Sequence, residues 1–219
     1  PYPEPDDLVV LWTVDQVRVD RSRTVDHPDV RTLQAQVPEL SLAGFAGTRP
    51  TLTGFGDPEV LLGVRVTDGL IDLMGLEPVL GRDLRAADDV DGGPRVTVIS
   101  HAFWVDRLAR DPDVLGETIT LNGEEWEIVG VAPAGFDYPN ASQLWLPLRH
   151  AVEGCGHGCR IMNAVGRITP GVTIEQVQAR LDAVSQGIAE EFPNAHRDEG
   201  FAVESMLGNQ VASVRTALW

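Results

Sequence analysis

LNGEEWEIVGVAPAGFDYP, residues 121–139, alternates apolar and polar positions about an Asn-Gly pair and then runs into Gly-Phe-Asp-Tyr-Pro without a catalytic group. Ile119 and Leu121 lie before Asn122-Gly123, and Trp126 and Ile128 lie after it, with Val131 beyond. Both central positions of a type I′ turn need positive φ, which Asn and Gly tolerate, so the stretch predicts a tight β-hairpin. Such a hairpin is scaffold, stiff and chemically silent.

Toward the N-terminus, LVVLWT (8–13) is an apolar run of strand length, and DHPDVRTLQAQVP (26–38) has the marks of a helix. Asp26 stands where an N-cap belongs, Pro28 suits the first turn, Val30, Leu33 and Val37 recur on one face, and Pro38 stops the run. LSLAGF (41–46) and EVLLGVRV (59–66) read as strands, and a short helix follows with Leu70, Ile71 and Met74 apolar and Gly75 at its end. From Gly81 the texture turns loop-like through GRDLRAADDVDGGP, before the buried strand VTVIS and the short helix HAFWVDRLAR behind a Ser100 cap.

Toward the C-terminus come LWLPL (144–148), a loop with both cysteines, the strand IMNAVGRI, and the strongest helix signal of the chain. Ile174, Val177, Leu181, Val184 and Ile188 follow 3-4-3-4 spacing, and Thr173 with Gln176 fits a capping box. Phe192-Pro193 closes it, and GFAVES offers a last strand. The order predicts an α+β fold of two subdomains, with the two ends of the chain packed together and a mainly-β block inserted between them.

The 219 residues suffice for one large domain or two small ones, and 43% apolar with 23% charged residues is ordinary globular usage. A net charge of -16, with every basic residue Arg and none Lys, argues against a nucleic-acid partner, which needs clustered cations for phosphates. No window approaches the roughly 20 apolar residues that span a bilayer. The absent Met and the apolar tail Val214–Trp219 lead to the expectation that the sequence is the excised, soluble part of a longer protein.

Chemistry-bearing residues are sparse. In EGCGHGCR, Cys155, His157 and Cys159 place three ligands within five residues with no distant partner at zinc-site spacing, so a local Cys155–Cys159 disulfide is favoured over a metal site or free thiols. Asp88, Asp89 and Asp91 lack the Gly and Glu of a calcium loop and read as a solvated acidic loop. His101, His150 and His196 stand without GxSxG or HExxH and read as surface or helix-flanking residues. GLEPVLG and GVAPAG fail the spacing of phosphate loops, and Trp104, Trp126 and Trp145 read as core. The expectation is a non-enzyme with no catalytic residue, no metal and no cofactor.

Taken in order, GLEPVLGRDL (75–84), VTVISHAFW (96–104), DPDVLGETITLNG (111–123), EIVGVAPAGFDYP (127–139), LWLPL (144–148) and VGRITPGVTIEQVQARL (165–181) resemble the MacB-like periplasmic core domain of ABC-transporter permeases of the MacB/FtsX type. The resemblance implies a porter-like α/β subdomain from residues 1–80 and 160–219, and an inserted Sabre-like subdomain from 81–159. It also implies flanking transmembrane helices, an extracytoplasmic position at a bacterial membrane, and coupling to a separate cytoplasmic ABC ATPase. Efflux, a periplasmic adaptor and a second permease half belong to the same set of implications, as does mechanotransmission. The excised domain is expected to be a monomer. The rival reading is a free-standing secreted module that binds a ligand between its subdomains.

Overall fold

The structure, a computed structural model, describes residues 2–15, 17, 20–22, 24–148 and 156–208. In chain order its strands are β1 (Leu8–Asp15), β2 (Asp20–Ser22), β3 (Leu40–Thr48), β4 (Thr51–Thr53), β5 (Glu59–Val60), β6 (Gly63–Val66) and β7 (Leu80–Gly81). After these come β8 (Val96–Ile99), β9 (Thr118–Leu121), β10 (Glu124–Val131), β11 (Leu144–Pro147), β12 (Asn163–Ile168) and β13 (Glu199–Ser205). The α-helices are α1 (His27–Gln36), α2 (Leu70–Leu73), α3 (His101–Arg107), α4 (Ile174–Glu191) and α5 (Pro193–His196).

Contacts divide the chain into two compact units, Pro1–Gly44 with Gly154–Trp219, and Phe45–Glu153. This first break falls well before the change of texture near Gly81. The reason is backbone pairing: β4 lies antiparallel to β9 and β6 lies parallel to β11, so residues 45–80 find their hydrogen-bond partners in the second unit.

In the first unit β1 is central. β13 runs antiparallel along one edge of it, with Thr13 opposite Phe201. β12 takes residues 8–11 of β1 and β2 takes 13–15, so the two share the other edge. The first part of β3 lies beyond β12. α4 packs on β13 and touches α1, burying Val177, Leu181 and Ile188. Its periodicity was legible in the sequence, but the polar residues on the same face carry a task of their own. Ser185 Oγ accepts from the Phe201 N–H at 3.1 Å, and Gln178 both donates to the Phe201 carbonyl at 2.8 Å and accepts from the Val203 N–H at 3.2 Å. Backbone groups of β13 that β1 does not engage are thereby satisfied without another strand.

In the second unit the order is β3-β6-β11-β8-β10-β9-β4-β5, with β7 on β10. The expected hairpin is β9–β10, turning at Asn122 (φ 53°) and Gly123 (φ 82°). β10 also lies parallel to β8, and parallel strands need a crossover, which α3 and β9 supply. The segment 59–66 forms two strands because it changes partner: Glu59 and Val60 pair with β4, a pairing that the Leu61 N–H extends to the Pro50 carbonyl at 2.9 Å, whereas Gly63–Val66 lie between β3 and β11. Leu52, Phe103, Trp104, Ile119, Trp126, Ile128 and Leu144 share one apolar cluster. Trp145 is 1% exposed, stacks on Phe136 at 5.1 Å and donates its indole N–H to the Tyr138 carbonyl at 2.9 Å. Trp104, Trp126 and Trp145 are therefore core, and the indole N–H of Trp104, like that of Trp145, is satisfied by a nearby carbonyl, here of Asp111 at 2.7 Å.

Candidate functional site

The second unit carries an open groove of about 420 Å³, bordered by Thr48, Arg49, Leu62, Pro139, Asn140 and Ser142. Leu62 is 42% exposed there, and the neighbouring Val60 is 61% exposed. No catalytic constellation lines this groove. Its chemistry is that of an adaptable surface, with one cation, two hydroxyls, an amide and apolar edges.

The first unit holds a denser cluster. α1 begins at His27 behind Asp26, but the Asp26 carboxylate makes no capping hydrogen bond. One of its oxygens instead accepts the N–H of Gly158, drawing the loop before β12 onto the start of the helix. Asp29, one turn into α1, is 1% exposed and meets His157 Nδ1 at 3.1 Å. α5 adds His196, 2% exposed, whose Nε2 lies 3.5 Å from Asp29 Oδ1 and 3.7 Å from Asp26 Oδ2. Its Nδ1 lies 3.5 Å from Glu199, which pairs with Arg160. His157 stacks on Phe192 at 3.6 Å and meets His196 edge-on at 5.5 Å.

Burial pushes the Asp29 carboxyl up to about 7; His196 pulls it down, and the neighbouring Asp26 adds to the rise. Desolvation dominates because the group lies under α1 and α5 rather than at the surface.

Several expectations change here. His196 ends α5, as a helix-flanking histidine would, but it is buried among carboxylates and not at the surface. His157 joins Asp29, 128 residues before it in the chain, and His196 on α5. The sequence could not show this, because Asp26, Asp29, His157 and His196 are brought together only by packing of α1, α5 and the loop. The one local signal was Asp26 itself, an apparent cap whose carboxylate is used elsewhere.

Asp88 and Asp89 are also buried rather than solvated. Asp88 accepts both guanidinium nitrogens of Arg82, one at 3.0 Å, and the Arg85 N–H at 2.8 Å, so a bidentate ion pair holds this loop shut. His101 stands edge-on to Trp104 at 5.6 Å, and His150 lies outside the described residues. Cys155 lies outside them too, while Cys159 is disulfide-bonded and so offers no thiolate to a metal. No described helix is long and apolar enough to cross a membrane.

Comparison with solved structures gives three neighbours of the same fold. The periplasmic region of MacB from Actinobacillus actinomycetemcomitans aligns with a TM-score of 0.67 at 18% identity, over 94% of this chain and 92% of that one. A domain assigned to a permease from Porphyromonas gingivalis aligns with a TM-score of 0.69 at 16% identity, over 94% and 92%. The extracellular domain of the noncanonic ABC-type transporter YknZ from Gram-positive bacteria aligns with a TM-score of 0.61 at 15% identity, over 90% and 99%. No curated protein sequence matches. The sequence matches the MacB-like periplasmic core domain over residues 2–184, which covers most of the first unit and all of the second. The chain belongs to the family of MacB-like periplasmic core domains of ABC transporter permeases.

Proposed function

We propose that this domain is the extracytoplasmic partner-engaging and force-transmitting part of a MacB/FtsX-type permease, coupled through flanking transmembrane helices to a cytoplasmic ABC ATPase. The observation that carries the reading is the family match across residues 2–184. In this reading the first unit is porter-like and the second Sabre-like. The second unit's stiffness suits a lever: its turns are tight, its tryptophans are locked by stacking and hydrogen bonds, and close-packed interiors transmit strain. The groove around Leu62 and Arg49 is the surface on which a periplasmic adaptor or a substrate docks. Mechanotransmission and efflux follow from the same reading, and the isolated domain should sediment as a monomer.

We also assign Cys155 as the partner of Cys159, since the chain has 2 cysteines and Cys159 is disulfide-bonded. Thiol titration should find no free thiol before reduction and two after it.

The test begins with the reading frame on both sides of these residues, where apolar spans of about 20 residues are expected. A photo-crosslinking residue in place of Leu62 in the membrane-embedded protein should then capture an extracytoplasmic component. ATPase activity of the reconstituted permease should fall when paired cysteines lock the second unit. Absence of flanking spans would sink the permease reading. ATP turnover indifferent to the lock would sink the coupling.

A further inference from the structure

We infer that Asp26, Asp29, His157 and His196 form a binding site for one divalent first-row transition-metal ion, best matched by Zn²⁺. The site is a structural clamp that fastens the loop before β12 to α1 and α5.

Geometry is the first support. One ligand atom from each of the four residues can be chosen so that all lie within 4.8 Å of one another. Ligands about 2.0–2.1 Å from a tetrahedral Zn²⁺ stand about 3.3–3.4 Å apart. The measured separations bracket that edge: 3.1 Å for His157 Nδ1 to Asp29 Oδ1, 3.5 Å for His196 Nε2 to Asp29 Oδ1, and 3.7 Å for His196 Nε2 to Asp26 Oδ2. The two His196 separations are too long for hydrogen bonds, whose N–H···O distances centre on about 2.9–3.0 Å.

Unmet polar capacity is the second support. His196 Nε2 and Asp26 Oδ1 are buried without any hydrogen-bond partner, although their residues are 2% and 0% exposed. Buried polar atoms are rarely left so, because stranding one forfeits its hydration with nothing in return. A cation among these ligands would engage the lone pair of His196 and neutralise the Asp26 carboxylate.

Charge is the third. With neutral imidazoles and an ionised Asp29, as metal ligation requires, the carboxylates of Asp26, Asp29 and Glu199 would face the guanidinium of Arg160 with two negative charges uncompensated. A divalent ion closes that deficit. Glu199 sits 3.5 Å from His196 Nδ1, on the far side of the ring from the ligand atom, which is the outer-shell carboxylate position of a metal-bound histidine. Two imidazoles with two carboxylates select a borderline ion, whereas Mg²⁺ and Ca²⁺ favour all-oxygen shells.

The test uses the complete 219-residue chain, free of any affinity tag and stripped with a chelator. ZnCl₂ titrated by calorimetry should bind at one ion per chain with sub-micromolar Kd, and Tm should rise by roughly 5–10 °C at a hundredfold excess over Kd. CoCl₂ in its place should give the visible bands of a four-coordinate ion. His196→Gln should abolish stoichiometric binding. Because His196 is buried and that variant can fail to fold, His157→Gln at the half-buried edge serves as the second, and it should weaken Zn²⁺ at least tenfold while circular dichroism stays unchanged. Wild-type protein that takes up no Zn²⁺, or uptake undiminished in a folded His157→Gln variant, would overturn the site.

Discussion

Gly81 and Gly130 are register partners across β7 and β10, and neither leaves room for a methyl group on the other side of the pair. A Cβ on Gly130 would lie 2.1 Å from the Arg82 carbonyl oxygen, and one on Gly81 would lie 2.2 Å from that of Val129. The obstacle in each case is backbone, which cannot rotate aside as a side chain can. Gly130→Ala is therefore expected to destabilise the domain by about 1–3 kcal/mol or more, as overpacking does, and to detach β7. Urea unfolding gives the magnitude, and hydrogen exchange at the Arg82 N–H, bonded to the Val129 carbonyl, reports the detachment. An unchanged midpoint would mean that the two strands separate at no cost.

The same substitution at Gly187 should have the opposite sign. Gly187 lies inside α4, exposed, and a Cβ added there would meet nothing within 4 Å. Alanine there costs no packing and removes conformational freedom from the unfolded chain, so Gly187→Ala should stabilise by about 0.5–1 kcal/mol. Thermal unfolding of both alanine variants beside the wild type checks the pair at once.

Asp83 gives a pH prediction. Its carboxylate accepts the N–H of Ile71 and of Leu84, each at 2.7 Å, and that of Asp72 at 3.3 Å, so it anchors the start of α2. Burial nevertheless pushes its pKa up to about 6, outweighing the lowering by those three donors. Between about pH 4 and 6 the folded chain then holds a proton that the unfolded chain has released. Stability from this group is present below about pH 4 and is lost as pH rises through the folded value. The stability of wild type relative to Asp83→Asn should fall by up to about 2–3 kcal/mol from pH 4 to 7. A difference that stays flat or grows would contradict the assignment.

These residues mark how far the sequence could be read. The hairpin at Asn122-Gly123, the capping box at Thr173 and the Ser100 cap are local, each fixed by a few adjacent residues, and each forms. The glycines of GLEPVLG and GVAPAG could be excluded from phosphate binding by spacing. Their actual use, the close approach of Gly81 to Gly130, spans 49 positions and depends on where β7 docks. The pairings of β4 with β9 and β6 with β11 are likewise non-local, and they move residues 45–80 into the second unit. The His/Asp cluster was least legible of all. Asp26 looked like a cap, and His157 looked like a neighbour of the cysteines. Only tertiary packing turns either toward His196.

Thr173 offers the clearest separation of local from tertiary stability. It is exposed, its hydroxyl accepts from the Gln176 N–H at 3.3 Å, and Gln176 Oε1 accepts from the Thr173 N–H at 2.9 Å. Two helix-end donors are thus satisfied by side chains that contribute nothing to the core. Thr173→Ala should cost about 1 kcal/mol, whereas Thr173→Ser, which keeps the acceptor, should be close to neutral. Both variants should leave the denaturant slope unchanged, since no buried surface is altered. Should alanine and serine behave alike in urea unfolding, the capping hydrogen bond contributes nothing, and α4 is held by Val177, Leu181 and Ile188 and by the Gln178 and Ser185 bonds to β13 alone.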